Sequence, residues 1–149
     1  MKLISYYKND QIRTGVVDGD QVVDLNEAVP SMSHDLLTAL NSDADVAAAA
    51  KAALTSAAPR VALVSVKLAA PLPRPGKIIC LGLNYYDHAK EGGRDKPEYP
   101  WFFYRGASSL IAHGEAGVRP RVSERLDYEA ELAVIIGKRA KHLSEADAL

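Results

Sequence analysis

The residues best suited to chemistry fall in three short stretches. The densest is Leu126-Asp127-Tyr128-Glu129-Ala130-Glu131-Leu132-Ala133-Val134-Ile135-Ile136-Gly137, with three carboxylates at alternate positions. On a strand, residues two apart point to the same side, ~6.5–7 Å from one another. Asp127, Glu129 and Glu131 would then form a row that runs into apolar sequence. Carboxylates so placed repel each other and lose hydration unless a positive group holds them. A hard divalent cation does this, because it takes several oxygen ligands. An acidic strand end dissolved in water has the same pattern, and spacing alone leaves both readings open. The second stretch is Asp87-His88-Ala89-Lys90-Glu91. On a helix His88 and Glu91 share a face, and a carboxylate beside an imidazole suits a general acid or base. A solvated surface pair would look the same. In the third, Trp101-Phe102-Phe103-Tyr104-Arg105, the Arg105 cation can grip a carboxylate bidentately or stack on a neighbouring ring.

Composition narrows the classes. The chain has 149 residues, is 48% hydrophobic and 25% charged, and carries a net charge of -1. That describes a globular protein with no basic patch for nucleic acid. There is no apolar run long enough to span a membrane and no signal-peptide core. Cys80 is the single cysteine, so neither an internal disulfide nor a zinc cluster is expected, and Ile78-Ile79-Cys80-Leu81 suggests a buried thiol. No Gly-x-Ser-x-Gly elbow marks Ser108 or Ser109 as a nucleophile. A cytoplasmic protein is the default expectation.

Several elements would position these residues. Leu3–Tyr7, Ile12–Val17 and Gln21–Leu25 read as a β-meander turning at Lys8-Asn9-Asp10 and Asp18-Gly19-Asp20. Asp18, Asp20 and Asp24 read as turn residues. A short helix is predicted over Asp35–Leu40 with Ser33 as N-cap. An alanine-rich helix over Asp43–Thr55 would lie outside the small sheet, and a further strand covers Val61–Leu68. The alternating prolines of Ala70–Gly76 mark a domain boundary. Beyond it Lys77–Leu81 is a strand, the 87–91 helix stops at Gly92-Gly93, Arg94–Pro100 is a loop, Trp101–Arg105 is an aromatic strand, and Leu132–Ile136 is a buried strand. Ser144-Glu145-Ala146-Asp147 has capping-box spacing at the start of a helix that Leu149 cuts short, so the chain is expected to be a piece of a longer protein.

Gly82-Leu83-Asn84-Tyr85-Tyr86-Asp87-His88-Ala89-Lys90-Glu91, Phe102–Leu110 and Asp127-Tyr128-Glu129-Ala130-Glu131-Leu132 together resemble the fumarylacetoacetate hydrolase family. The resemblance implies an α+β, mostly β fold. Residues 1–70 would be a small N-terminal β-rich domain, and residues 71–149 the beginning of a mixed β-sheet catalytic domain. It implies Glu129 and Glu131 as metal ligands for Mg2+, or for Mn2+ or Ca2+. His88 and Glu91 would be the catalytic dyad, with Arg105 and Tyr85 binding substrate. The expected reaction is cleavage of a carbon–carbon bond in a 2-oxo acid such as an acylpyruvate, by a protein homodimeric at full length. Isomerisation or decarboxylation of 2-hydroxyhepta-2,4-diene-1,7-dioate at the same site is the alternative. A non-catalytic fragment that associates with a complete subunit is another. The family adds an Asp as third metal ligand downstream, beyond Leu149, and often has Lys where Arg105 stands.

Overall fold

The computed structural model describes residues 1–148. Strands β1 (Lys2–Lys8), β2 (Gln11–Asp18) and β3 (Gln21–Asp24) form the expected antiparallel meander, in register Ser5↔Thr14 and Val16↔Val23. Asn9 and Asp10 both take positive φ, 50° and 60°, as a type I′ turn between twisted strands requires. Gly19, at φ +61°, opens the second turn. At Gly15 a Cβ would meet Val22 Cγ1 at 2.5 Å, so the bare backbone lets the neighbouring strand's side chain close over it.

The predicted strand over Val61–Leu68 is replaced by two short strands, β4 (Arg60–Ala62) and β5 (Lys67–Leu68), around a 3-10 turn at Leu63–Ser65. The sheet order β4-β3-β2-β1-β5 explains the break, because one straight strand cannot pair with both edges. Four inter-strand spacings in a flat sheet amount to about 19 Å. The five residue steps from Ala62 to Lys67 reach ~17 Å at full extension, and the 3-10 turn shortens them. The sheet is therefore curled, its two edges drawn toward one another.

Helices fill one side of this curl. A helix the sequence reading missed, α1 (Leu25–Ala28), follows β3 directly. The next, α2 (Leu36–Leu40), is capped by Asp35 and not by Ser33, the Asp35 carboxylate accepting from Thr38 N at 3.1 Å. The alanine-rich helix α3 (Val46–Thr55) starts at an Asp45 cap. Its small residues Ala49, Ala50 and Ala53 lie in the core with Val16, Val23 and Leu25. Lack of bulk thus lets α3 sit close on the sheet. Arg60 Nη2 donates to the last-turn carbonyl of Leu54 at 2.8 Å and closes the helix end.

Asp24 is no turn residue. It is buried, and its carboxylate accepts from Tyr6 Oη at 2.6 Å, from Arg13 Nε and Nη2 at 3.0 and 2.7 Å, and from the amides of Asn26 and Glu27. Burial raises its pKa, but the bonds from Arg13, Tyr6 and the α1 backbone outweigh this, and the net shift is downward. Burial first, and then the bond to Asp24, push the Tyr6 hydroxyl well above its usual range.

The proline segment leans on this layer, with Leu72 against the core and Ser5 Oγ donating to Pro71 O at 2.7 Å. A separate two-stranded sheet follows, β6 (Ile78–Gly82) antiparallel to β7 (Trp101–Arg105), with α4 (Tyr86–Glu91) between them. Cys80, expected to be buried, is only half-buried. The predicted buried strand Leu132–Ile136 is irregular and open to solvent, with Leu132, Val134 and Ile136 exposed by 83%, 71% and 78%. Apolar β-branched sequence becomes a strand only beside a neighbour that takes its backbone bonds. Among the described residues none pairs with it. At the end of the chain, residues Glu145–Asp147 form one 3-10 turn. The Ser144 hydroxyl donates to Asp147 Oδ2 at 2.5 Å and caps no amide, so the expected capping box is not formed.

Candidate active site

The site is built on α4, whose position is set at both ends. β6 ends at Gly82, and Leu83 turns the chain in the left-handed region at φ 52°. Tyr85 is the N-cap residue, with extended backbone. The helix stops where expected: Gly92 N donates to His88 O at 3.2 Å, and Arg94 N reaches Ala89 O at 2.9 Å across Gly93, at φ +63°. Ala89 is buried against the chain that follows, while His88 stays half-exposed.

His88 and Glu91 share a helix face, but the carboxylate beside the imidazole belongs to another residue. His88 Nε2 lies 3.6 Å from Glu129 Oε1. That is an ion-pair distance, longer than a hydrogen bond, between two groups that each keep about half their exposure. Such a pair adds little stability, and its interest is placement. A second contact lies close by in sequence: Leu132 N donates to Tyr85 Oη at 2.8 Å. The structure thus gathers His88, Glu129 and Tyr85. Among the described residues, Glu91, Glu131 and Arg105 make no hydrogen bond or ion pair to this group. The Arg105 guanidinium sits over the Phe103 ring, 5.7 Å from its centre, so of its two open readings the structure shows the stack.

A cavity of about 400 Å³ lies between α4 and the 94–100 loop, lined by Leu83, Asn84, Tyr86, Ala89, Lys96 and Tyr99 among others. At ~100° per residue, Tyr86 and Ala89 lie on the face of α4 opposite His88 and Glu91. The cavity therefore backs the helix and is separate from the His88 side. Cations of the loop stack on flanking rings, Arg94 over Trp101 at 5.9 Å and Lys96 over Tyr86 at 5.8 Å.

Glu129 and Glu131 are hard oxygen donors of the kind magnesium and manganese take. Among the described residues, however, no group of three or more His, Cys, Asp or Glu is gathered to hold an ion. The two carboxylates fit as part of a donor set and do not complete one.

Sequence reading missed the Tyr85–Leu132 bond, which joins residues 47 apart and has no local signal. It also missed Glu129 as the neighbour of His88, since helical spacing pointed to Glu91.

Comparison with known proteins bears on the same segments. The family model described as fumarylacetoacetate (FAA) hydrolase C-terminal matches residues 77–149. The chain is 34% identical over 153 residues to the Xenopus laevis oxaloacetate tautomerase fahd2, mitochondrial, covering 100% of this chain and 48% of that protein. A Mycobacterium smegmatis crystal structure described as an HpcE protein superposes with a TM-score of 0.65 at 32% identity, over 81% of this chain and 41% of that one. Maleylpyruvate hydrolase from Sphingobium, solved with manganese(II) and pyruvate, gives a TM-score of 0.52 at 27% identity, over 74% and 39%. The chain spans about half the length of the curated relatives it matches. From its acidic motif, its His88 segment and these likenesses, the chain belongs to the fumarylacetoacetate hydrolase family.

Proposed function

We propose that this chain carries half of the active site of a divalent-metal-dependent hydrolase that cleaves a carbon–carbon bond in a 2-oxo acid. The observation that carries the reading is the approach of His88 to Glu129, which brings a proton-moving group to a candidate ligand. In this reading Glu129 and Glu131 hold Mg2+, Mn2+ or Ca2+ together with a further donor. A bound divalent ion supplies stabilisation of negative charge on oxygens beside the bond that breaks. His88 takes a proton from water or from the substrate carbon, and Glu91, one turn along the same face of α4, tunes its orientation. Arg105 offers a planar cation to a substrate carboxylate, and leaving Phe103 to do so costs little at an exposed stack. The manganese and pyruvate bound to the Sphingobium relative support a metal and a 2-oxo acid as the ligand chemistry.

A second reading uses the same groups without hydrolysis. His88 shuttles a proton between carbon and oxygen in a tautomerase or isomerase, or protonates the enolate carbon left when CO2 departs in a decarboxylase. The name of the Xenopus relative favours this reading. An assay of the full-length protein with acylpyruvates and oxaloacetate, with and without added Mg2+ or Mn2+, separates the two. Pyruvate release from acylpyruvate supports hydrolysis, and keto–enol conversion or CO2 release from oxaloacetate with acylpyruvate left intact supports the second reading. Activity undiminished after chelation overturns the metal-dependent reading.

The division into residues 1–70 and 71–149 and a homodimer at full length belong to the same proposal, and limited proteolysis and sedimentation test them. Among the described residues no helix is long and apolar enough to cross a membrane. A cytoplasmic location is likewise part of the proposal, and fractionation tests it against the mitochondrial name of the Xenopus relative.

A further inference from the structure

We infer that Tyr85 is a positioning residue, whose hydroxyl holds the acidic segment against the first turn of α4 and so keeps Glu129 beside His88. The inference rests on the active-site reading above and changes the part Tyr85 plays in it, from substrate contact to support.

Segment 126–137 forms no backbone ladder with any other element among the described residues. Among the described residues its polar contacts to distant sequence are two, and both reach the first turn of α4. One is Leu132 N–H to Tyr85 Oη at 2.8 Å, and the other is Glu129 Oε1 to His88 Nε2 at 3.6 Å. The second is too long and too exposed to fix geometry alone. The first is a hydrogen bond of ordinary length to backbone, so it acts on the chain path itself. A peptide unit is planar, and holding Leu132 N–H therefore orients the plane that joins Leu132 to Glu131. Glu131 is thus restrained directly, and Glu129 lies two residues further back. On the other side Tyr85 is the N-cap residue of α4, three positions before His88, so its ring springs from the helix origin. One side chain consequently ties the element bearing the proton carrier to the element bearing the carboxylates.

Tyr85→Phe in the full chain keeps the ring and the helix start and removes the acceptor. Amide exchange at Leu132 should speed up by roughly 3- to 10-fold, the worth of one ordinary hydrogen bond. Protection across β1–β3 should stay at its original level. With acetylpyruvate as substrate, kcat should fall while KM changes by less than about 2-fold. Unchanged exchange at Leu132 overturns the inference. So does a rise in KM with kcat retained, which returns Tyr85 to substrate contact. Loss of protection spread over β1–β3 overturns it too, by showing a general structural role. The exchange measurement needs no turnover, so failure of the reading it rests on is recognised separately. Wild-type activity in Glu129→Gln and Glu131→Gln removes the active-site reading and leaves the exchange result standing.

Discussion

His88 has one carboxylate three residues away on its own helix and another brought by a distant segment, and the two predict different variants. If it moves the proton, His88→Ala lowers turnover by ~10²–10⁴ and leaves divalent-ion affinity nearly unchanged. Steady-state kinetics beside Mn2+ titration check this, and an equal loss of ion binding would make His88 a ligand or a structural residue. Glu91→Gln gives a smaller loss in the same direction. Glu129→Gln and Glu131→Gln each remove one negative charge and nearly keep shape, so both should need more Mg2+ for half-maximal activity. Activity at limiting Mg2+ equal to wild type would contradict the ligand assignment.

At the scale of elements, the most consequential polar group is Asp24, which joins β1, β2 and α1 through Tyr6, Arg13 and the helix amides. Its pKa is lowered on folding, so the stabilisation it brings is fully present above its unfolded value near 3.8 and is lost as pH falls through the folded one. Asp24→Asn leaves Arg13 facing an uncharged partner in a half-closed site and should cost about 3 kcal/mol at neutral pH. The variant's stability should also change less than that of wild type between pH 7 and pH 2.5. Urea unfolding at the two pH values measures both effects, and a wild-type-like acid response in Asp24→Asn would assign the acid sensitivity elsewhere. Within the sheet, Gly15→Ala places a Cβ against Val22 and should destabilise by ~1–3 kcal/mol.

For the molecule as a whole, the two halves differ in how their apolar surface is covered. The curled sheet and α3 enclose Val16, Val22, Val23, Leu25, Ala50 and Ala53 almost completely. By contrast Phe102 and Tyr104 are each 65% exposed, and the Leu132–Ile136 run is open to solvent. Each aliphatic side chain left uncovered forgoes ~1.5–3 kcal/mol, against a net domain stability of ~5–15 kcal/mol. Residues 1–149 by themselves should therefore show strong amide protection in β1–β3 and weak protection at residues 133–136, with a tendency to aggregate. Hydrogen exchange on the purified chain reads this directly. Strong protection at 133–136 in a monomer would mean that this run finds cover within the chain.

Local chemistry was legible in the sequence wherever a pattern is short. The meander and its Asn-Asp and Asp-Gly turns, the α4 stop at Gly92-Gly93, the β6 and β7 strands, and the paired glutamates all rest on neighbours a few residues apart. The family resemblance followed from three such segments. Tertiary structure decided what depends on partners far along the chain. Asp24 looks like any hairpin aspartate until strand register brings Tyr6 and Arg13 to it. The Val61–Leu68 run breaks because its ends serve opposite edges of one curled sheet. Leu132–Ile136 has the composition of a strand and lies open, because a strand is made by the backbone beside it and not by its own side chains. His88 meets Glu129, with Tyr85 holding the segment between them, through contacts that local periodicity does not encode.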